Sequence, residues 1–139
     1  MTAFDIENSV GFLLAKAHQR LYAHFRKELE PFGITPPQFA LLAFLWKRDR
    51  ISQTELSART EVDRTTLGGL VDRLAKMGLV RREANPEDRR SYLVCLTSAG
   101  KALEADLTGI ALGVRKRIVA NLGAGEYETL CTLLEKLRA

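Results

Sequence analysis

Two groups of residues in this sequence have the types and the spacing to act on a polyanion. The first is Arg64, Thr65, Thr66, Gly68, Gly69, Arg73 and Lys76, in a stretch whose apolar residues Leu67, Leu70, Val71, Leu74 and Met77 recur at helical spacing. On a helical wheel Thr65, Gly69, Asp72 and Lys76 fall opposite that stripe, with Arg64, Gly68 and Arg73 at its margins. Each of two adjacent glycines costs roughly 1 kcal/mol relative to alanine in a helix interior, so their place on the polar side asks for a reason. Close approach to another surface is one, because Thr and Arg reach base edges and phosphates in a DNA major groove while glycine lets the backbone come near. A solvated face with two tolerated glycines is the other. The second group is Asp88-Arg89-Arg90. It follows the turn signal Asn85-Pro86 and lies between two short alternating segments, Leu79 to Arg82 and Tyr92 to Leu96. This predicts a β-hairpin with a charged tip, which can place an arginine in a narrow, electronegative minor groove. A solvated basic loop is the alternative.

The elements around these residues follow from local rules. Ser52 with Glu55 three residues later is a capping box that starts a short helix anchored on Leu56. Thr60, Glu61 and Val62 make a tight connection to a second helix, which Asp63 caps and Gly78 ends. A helix-turn-helix followed directly by a hairpin is a winged helix. Upstream, Ile6, Val10, Leu13, Leu14, Ala17, Leu21, Phe25 and Leu29 predict a helix from Asp5 to Glu30, stopped by Pro31 and Gly33, with Phe12, His18 and Tyr22 along one edge. Thr35-Pro36 opens another helix, to Lys47, with Phe39, Leu42, Ala43 and Trp46 inward. Downstream, Thr97 caps a long helix reaching about Asn121, with Leu103, Leu107, Ile110, Val114, Ile118 and Leu122 as its stripe. Gly109 and Gly113 on this helix mark either close packing or a mild weakening, and Arg115-Lys116-Arg117 reads as a solvated face. After Gly123-Ala124-Gly125 comes a last amphipathic helix with Tyr127, Leu130, Cys131, Leu134 and Leu137. Apolar stripes at both ends of so short a chain predict pairing with a second copy.

With 139 residues, 46% hydrophobic and 27% charged, the chain has the makings of one soluble globular domain. A net charge of +4 permits nucleic-acid binding without demanding it. No apolar run reaches the length of a membrane span, and Asp5 and Glu7 stand where a signal peptide would be basic, so a cytoplasmic protein is expected. Cys95 and Cys131 both fall in apolar patterns and read as buried small hydrophobes, neither a disulfide nor a metal site nor an oxidant sensor. An enzyme is not expected: there is no G-x-S-x-G, P-loop, zinc-ligand spacing or paired carboxylates, and His18 and His24 lie six apart on one helix. No cofactor or metal is implied.

The run Asp88-Arg89-Arg90-Ser91, then Leu93, Val94, Leu96, Thr97 and Gly100, resembles the wing of the MarR family of bacterial transcriptional regulators. The resemblance extends to Gly33-Ile34-Thr35 before Pro36-Pro37-Gln38-Phe39, to Asp63-Arg64-Thr65-Thr66, and to Lys76-Met77-Gly78-Leu79-Val80. It implies a mainly α (α+β) fold, a dimeric winged helix-turn-helix whose N- and C-terminal helices form the dimerisation region. The chain would be one domain, with residues 36–97 as the DNA-binding lobe and residues 1–35 and 98–139 as dimerisation helices. Ile51 would be a one- or two-residue strand beside the wing. Arg90 would be the minor-groove arginine, Asp88 would hold the wing by pairing with an arginine, and Arg89 would touch phosphate. Members that bind phenolic or aromatic acids use a crevice that His18, Tyr22, Phe39 and Trp46 could line here. The early cysteine of peroxide-sensing members is matched by Gly11, which argues against that route. The function so implied is a homodimeric repressor bound to double-stranded DNA at a palindromic operator and released by a small effector; the alternative is a constitutive DNA binder or activator without an effector.

Overall fold

The computed structural model describes residues 3–139. Helix α1 (Val10–Leu29) begins later than its apolar period suggests. Asp5 caps a separate 3-10 turn, Ile6–Asn8, and Ser9 then caps α1 by accepting the Phe12 N–H at 3.3 Å. A hydroxyl that bonds the backbone three residues on offers an alternative to helix continuation, and the chain takes it. After Gly33, in the left-handed region at φ 68°, Thr35 caps α2 (Pro36–Lys47). Here the reciprocal capping box is complete: Gln38 N–H donates to Thr35 Oγ1 at 3.3 Å and Thr35 N–H to Gln38 Oε1 at 3.0 Å. The box expected at Ser52 is only half formed. Ser52 accepts the Glu55 N–H at 3.0 Å, but the Glu55 carboxylate turns to Arg48 at 2.9 Å.

Strand β1 (Ile51–Ser52) leads into α3 (Gln53–Thr60), and Glu61, at φ 57°, turns the chain toward α4 (Arg64–Lys76). The wing is β2 (Val80–Ala84) and β3 (Tyr92–Leu96), paired antiparallel from Val80↔Leu96 to Ala84↔Tyr92. β1 adds to the outer edge of β3 with Ile51 opposite Val94, giving the order β1-β3-β2. The core lies where these elements meet: Leu29, Leu42, Leu45, Leu56, Leu67, Val71, Leu74, Val94 and Leu107 are fully buried. In α2 the deepest residues are Leu41, Leu42 and Leu45, while Phe39 and Trp46 are only half-buried. Met77, the last position of the α4 stripe, is 40% exposed because the helix has already ended at Lys76.

The long helix expected after the wing is two helices, α5 (Ser98–Ala102) and α6 (Glu104–Ile118), divided at Leu103. At the break, the Gly100 carbonyl, which an unbroken helix would present to residue 104, accepts the Trp46 indole N–H at 3.0 Å. A final helix, α7 (Glu126–Arg138), contributes no buried residue. Its Leu130, Leu133, Leu134 and Leu137 are exposed, as are Ile6, Val10, Leu13 and Leu14 near the other end of the chain. Cys131 is therefore exposed within the single chain, contrary to its apolar pattern, because nothing among the described residues covers that face of α7. No helix among the described residues is long and apolar enough to cross a membrane.

Candidate nucleic-acid interface

Asp63 fixes the start of α4 with both carboxylate oxygens. Oδ1 accepts the Thr66 N–H at 2.9 Å and Oδ2 accepts the Thr66 hydroxyl at 2.8 Å. The Thr66 backbone N–H is the main reason the Asp63 carboxyl titrates below its ordinary range. The hydroxyl proton of Thr66 is thus committed to the cap, whereas Thr65 is exposed and its hydroxyl makes no hydrogen bond among the described residues. Burial of Leu67, Leu70, Val71 and Leu74 against the core turns Arg64, Thr65, Arg73 and Lys76 outward. A Cβ on Gly68 would lie 3.6 Å from the Gln53 side chain of α3, an ordinary van der Waals contact, and one on Gly69 would meet open space. Packing among the described residues thus requires glycine at neither position, and the expectation of close approach to another surface applies most directly to the open Gly69.

The wing tip is held by backbone bonds. Asn85 Oδ1 accepts the Glu87 N–H at 3.0 Å and Asp88 Oδ1 accepts the Arg90 N–H at 3.0 Å, while the Asp88 carbonyl accepts the Ser91 N–H at 3.1 Å. Asp88 therefore holds the wing through the main chain and not through a guanidinium. A side-chain carboxylate reaches its own backbone two residues on more readily than a long side chain that must first be immobilised. Arg89 and Arg90 are exposed. Among the described residues, the side chains of Arg64, Arg73, Lys76, Arg89 and Arg90 enter no ion pair or hydrogen bond. A cleft of about 130 Å³ bordered by Thr54, Arg64, Arg90 and Ser91 brings the first arginine of α4 and the wing arginine together.

Arg82 belongs to this surface too, although its place in an alternating strand gave no hint of it. Its guanidinium donates to Asp72 Oδ1 at 2.6 Å, to the Gly68 carbonyl at 3.2 Å and to Gln53 Oε1 at 3.2 Å. Asp72, which the wheel places on the polar face, is thereby paired.

The four aromatic candidates do not converge on one cavity. Phe39 packs on Phe25 and Trp46, with ring centroids 5.5 and 6.0 Å away, in the half-buried layer over the core. His18 and Tyr22 form a separate pair, 6.1 Å apart, on the outer face of α1. Tyr22 borders a cleft of about 380 Å³, with Arg26, Glu30 and Ile34 among its walls.

Cys95 is buried in β3, and burial, reinforced by its hydrogen bond to Glu83 at 2.8 Å, raises its thiol from 9.0 to about 11. Because the folded state holds the proton, the stability from this contact is complete below pH 9 and is lost as the pH rises toward 11. In a Cys131→Ser background, Cys95 is expected to resist iodoacetamide at pH 8 and to react only above about pH 10, as Glu83→Gln reacts earlier. Full labelling of the folded protein at pH 8, followed by mass spectrometry, would contradict this.

The MarR family pattern matches residues 34–92, which run from the residue before the α2 cap to the start of β3. The HTH-type transcriptional repressor NicR of Pseudomonas putida is 36% identical over 136 residues, 98% of this chain and 86% of that protein. The chain belongs to the MarR family. Two solved structures extend the agreement to the fold of this MarR-family regulator. A mutant of Escherichia coli MarR complexed with operator DNA superposes with a TM-score of 0.88 at 31% identity, covering 96% of this chain and 99% of that one. Bordetella bronchiseptica BpsR, whose DNA binding is regulated by 6-hydroxynicotinic acid, superposes at 0.92 and 28% identity, covering 99% and 98%. The relatives are transcriptional regulators, a non-enzymatic role.

Proposed function

We propose that this protein is a homodimeric repressor that binds a palindromic operator and is released by a small aromatic acid. The observation that carries the DNA contact is the set of five exposed, unpaired cations, Arg64, Arg73 and Lys76 on α4 and Arg89 and Arg90 on the wing. Among the described residues other exposed cations, Arg20, Lys27, Lys47 and Lys116 included, are unpaired too. What sets these five apart is their grouping on α4 and the wing tip, where Arg64 and Arg90 border one cleft. Such a group suits a row of phosphates. In this reading α4 enters the major groove with Thr65 and Arg64 at the base edges, Thr66 completing the helix start beneath them. Gly69 gives the backbone its close approach. The winged lobe spans residues 36–97.

Residues 1–35 and 98–139 are assigned to the dimer, since two exposed apolar stripes, Ile6 to Leu14 and Leu130 to Leu137, have no cover among the described residues. A two-fold axis through such an interface sets the recognition helices about one DNA turn apart, roughly 10 base pairs between half-site centres. The effector class is supported by BpsR, a neighbour regulated by 6-hydroxynicotinic acid, and by Tyr22 and Arg26 on one cleft, an aromatic ring beside a cation.

Light scattering at micromolar concentration is expected to give twice the chain mass. Fluorescence anisotropy with a duplex selected from random sequence should show affinity falling roughly 10³- to 10⁵-fold between 50 and 200 mM salt, as for six to ten phosphate contacts. Adding 6-hydroxynicotinate should weaken the complex. Binding without salt dependence would refute the DNA contact, a monomer would refute the dimer, and indifference to every aromatic acid tried would favour the effector-free regulator.

A further inference from the structure

We propose that Arg82 sets the angle between the recognition helix and the wing, and is a specificity-determining positioning residue. The inference rests on the DNA-binding reading above and assigns to Arg82 no contact with DNA.

The apolar stripe of α4 anchors the helix but does not direct it, because burial is not directional. Ridge-into-groove packing still leaves such a helix a scatter of about 15–20° in its crossing angle. Directional bonds to its exposed flank narrow that scatter, and among the described residues all the side-chain bonds between α4 and the wing strands come from Arg82. Its Nη1 meets the Asp72 carboxylate at 2.6 Å and its Nη2 meets the Gly68 carbonyl at 3.2 Å. Gly68 and Asp72 are four apart, hence on one edge of the helix. Nε reaches Gln53, the first residue of α3, at 3.2 Å. One planar guanidinium thus ties β2 to both helices of the helix-turn-helix, in the fork geometry that arginine has and lysine lacks. Arg82 is itself held in register by the wing ladder, opposite Val94.

The same arrangement explains an acid on the face turned to DNA. A free Asp72 carboxylate would repel phosphate, whereas one occupied by Arg82 does not. The side chains are 27% and 60% exposed, so the ion pair by itself contributes little to stability. What the bonds supply is the angle at which α4 and the wing meet the two grooves.

The test compares Asp72→Ala, Arg82→Lys, Arg82→Met and the Asp72→Ala/Arg82→Met double variant with the wild type; alanine, unlike asparagine, leaves Arg82 no acceptor at position 72. Each is checked by circular dichroism and titrated with a duplex selected by the wild type and with a scrambled duplex of equal length. Asp72→Ala carries the sharpest expectation because charge and positioning predict opposite signs. Removing a negative charge should leave scrambled binding equal or tighter, while the selected-to-scrambled ratio falls at least tenfold. Arg82→Met should lower the ratio similarly, Arg82→Lys should recover part of it, and the double variant should be no worse than the poorer single one. If Arg82→Met does not fold, Asp72→Ala and Arg82→Lys decide alone. A ratio kept within twofold in Asp72→Ala overturns the proposal, and so does a parallel loss on both duplexes, which would mark Arg82 as a mere source of charge or stability. A wild type that binds neither duplex overturns the DNA-binding reading itself, a result distinct from both.

Discussion

Gly100→Ala is expected to lower the stability of the protein by about 3 kcal/mol or more, and its melting temperature by roughly 10 °C. A methyl group on Gly100 would lie 2.1 Å from the Leu79 carbonyl oxygen and 3.2 Å from Leu96 Cδ2. Neither side can yield cheaply. The Leu79 carbonyl accepts the Thr97 N–H at 3.0 Å where α4 passes into the wing. Gly100 is bound at both ends of its peptide, its N–H donating to Thr97 Oγ1 at 3.1 Å and its carbonyl accepting the Trp46 indole at 3.0 Å. Relief would have to move either the wing strand or the junction of α5 with α2. Thermal melting followed by circular dichroism measures the effect. A shift within about 2 °C would show that the close approach of Gly100 to Leu79 is not a constraint in solution.

Arg90→Ala is expected to weaken operator binding by about 1–3 kcal/mol and to reduce the preference for narrow, A·T-rich flanks. Arg90 is exposed, free of any carboxylate and presented by a tip whose backbone is pinned at Asp88. Little of the cost of ordering the loop is then left to the moment of binding. Arg89→Ala should differ in kind, weakening all sequences alike and lowering the salt slope by about one unit, as loss of a phosphate contact does. The bond from the Arg90 N–H to Asp88 Oδ1 separates two views of the acid. Asp88→Asn keeps an oxygen for that N–H and should bind nearly as the wild type does, whereas Asp88→Ala releases the turn and should resemble a milder Arg90→Ala. An ion pair with arginine would instead make Asn as damaging as Ala. Anisotropy titrations against one selected operator at several salt concentrations resolve all four variants. Unchanged affinity and salt slope in Arg90→Ala would remove the wing from the mechanism and leave α4 as the reader.

Much of what depends on neighbours within about four residues was legible in the sequence. The stripe Leu67, Leu70, Val71, Leu74, the caps Asp63 and Thr35, and the hairpin around Asn85-Pro86 all rest on spacings that the backbone geometry of a helix or turn imposes locally. Where several local bonds compete for one polar side chain the sequence did not choose between them: Glu55 turns to Arg48 instead of closing its box, Gln38 closes one, Ser9 restarts α1, and Asp88 takes the Arg90 N–H. The outward placement of Arg64, Thr65, Arg73 and Lys76 follows from the same periodicity. Tertiary structure decided what depends on residues far apart in the chain. Arg82 reads as one more polar position in a strand until the fold brings Asp72, Gly68 and Gln53, which lie 10, 14 and 29 residues away, within hydrogen-bond reach. The bond from Trp46 to Gly100 spans 54 residues, accompanies the interruption of the expected long helix, and could not be inferred from the period on either side of it. Phe39 and Trp46 share an apolar spacing with the residues around them, and only packing shows them layered over the core and apart from His18 and Tyr22. Cys95 and Cys131 occupy similar patterns, yet one is sealed by Glu83 across the hairpin and the other lies open on α7. Periodicity states which face of an element is apolar, and only the arrangement of the other elements determines whether that face is covered.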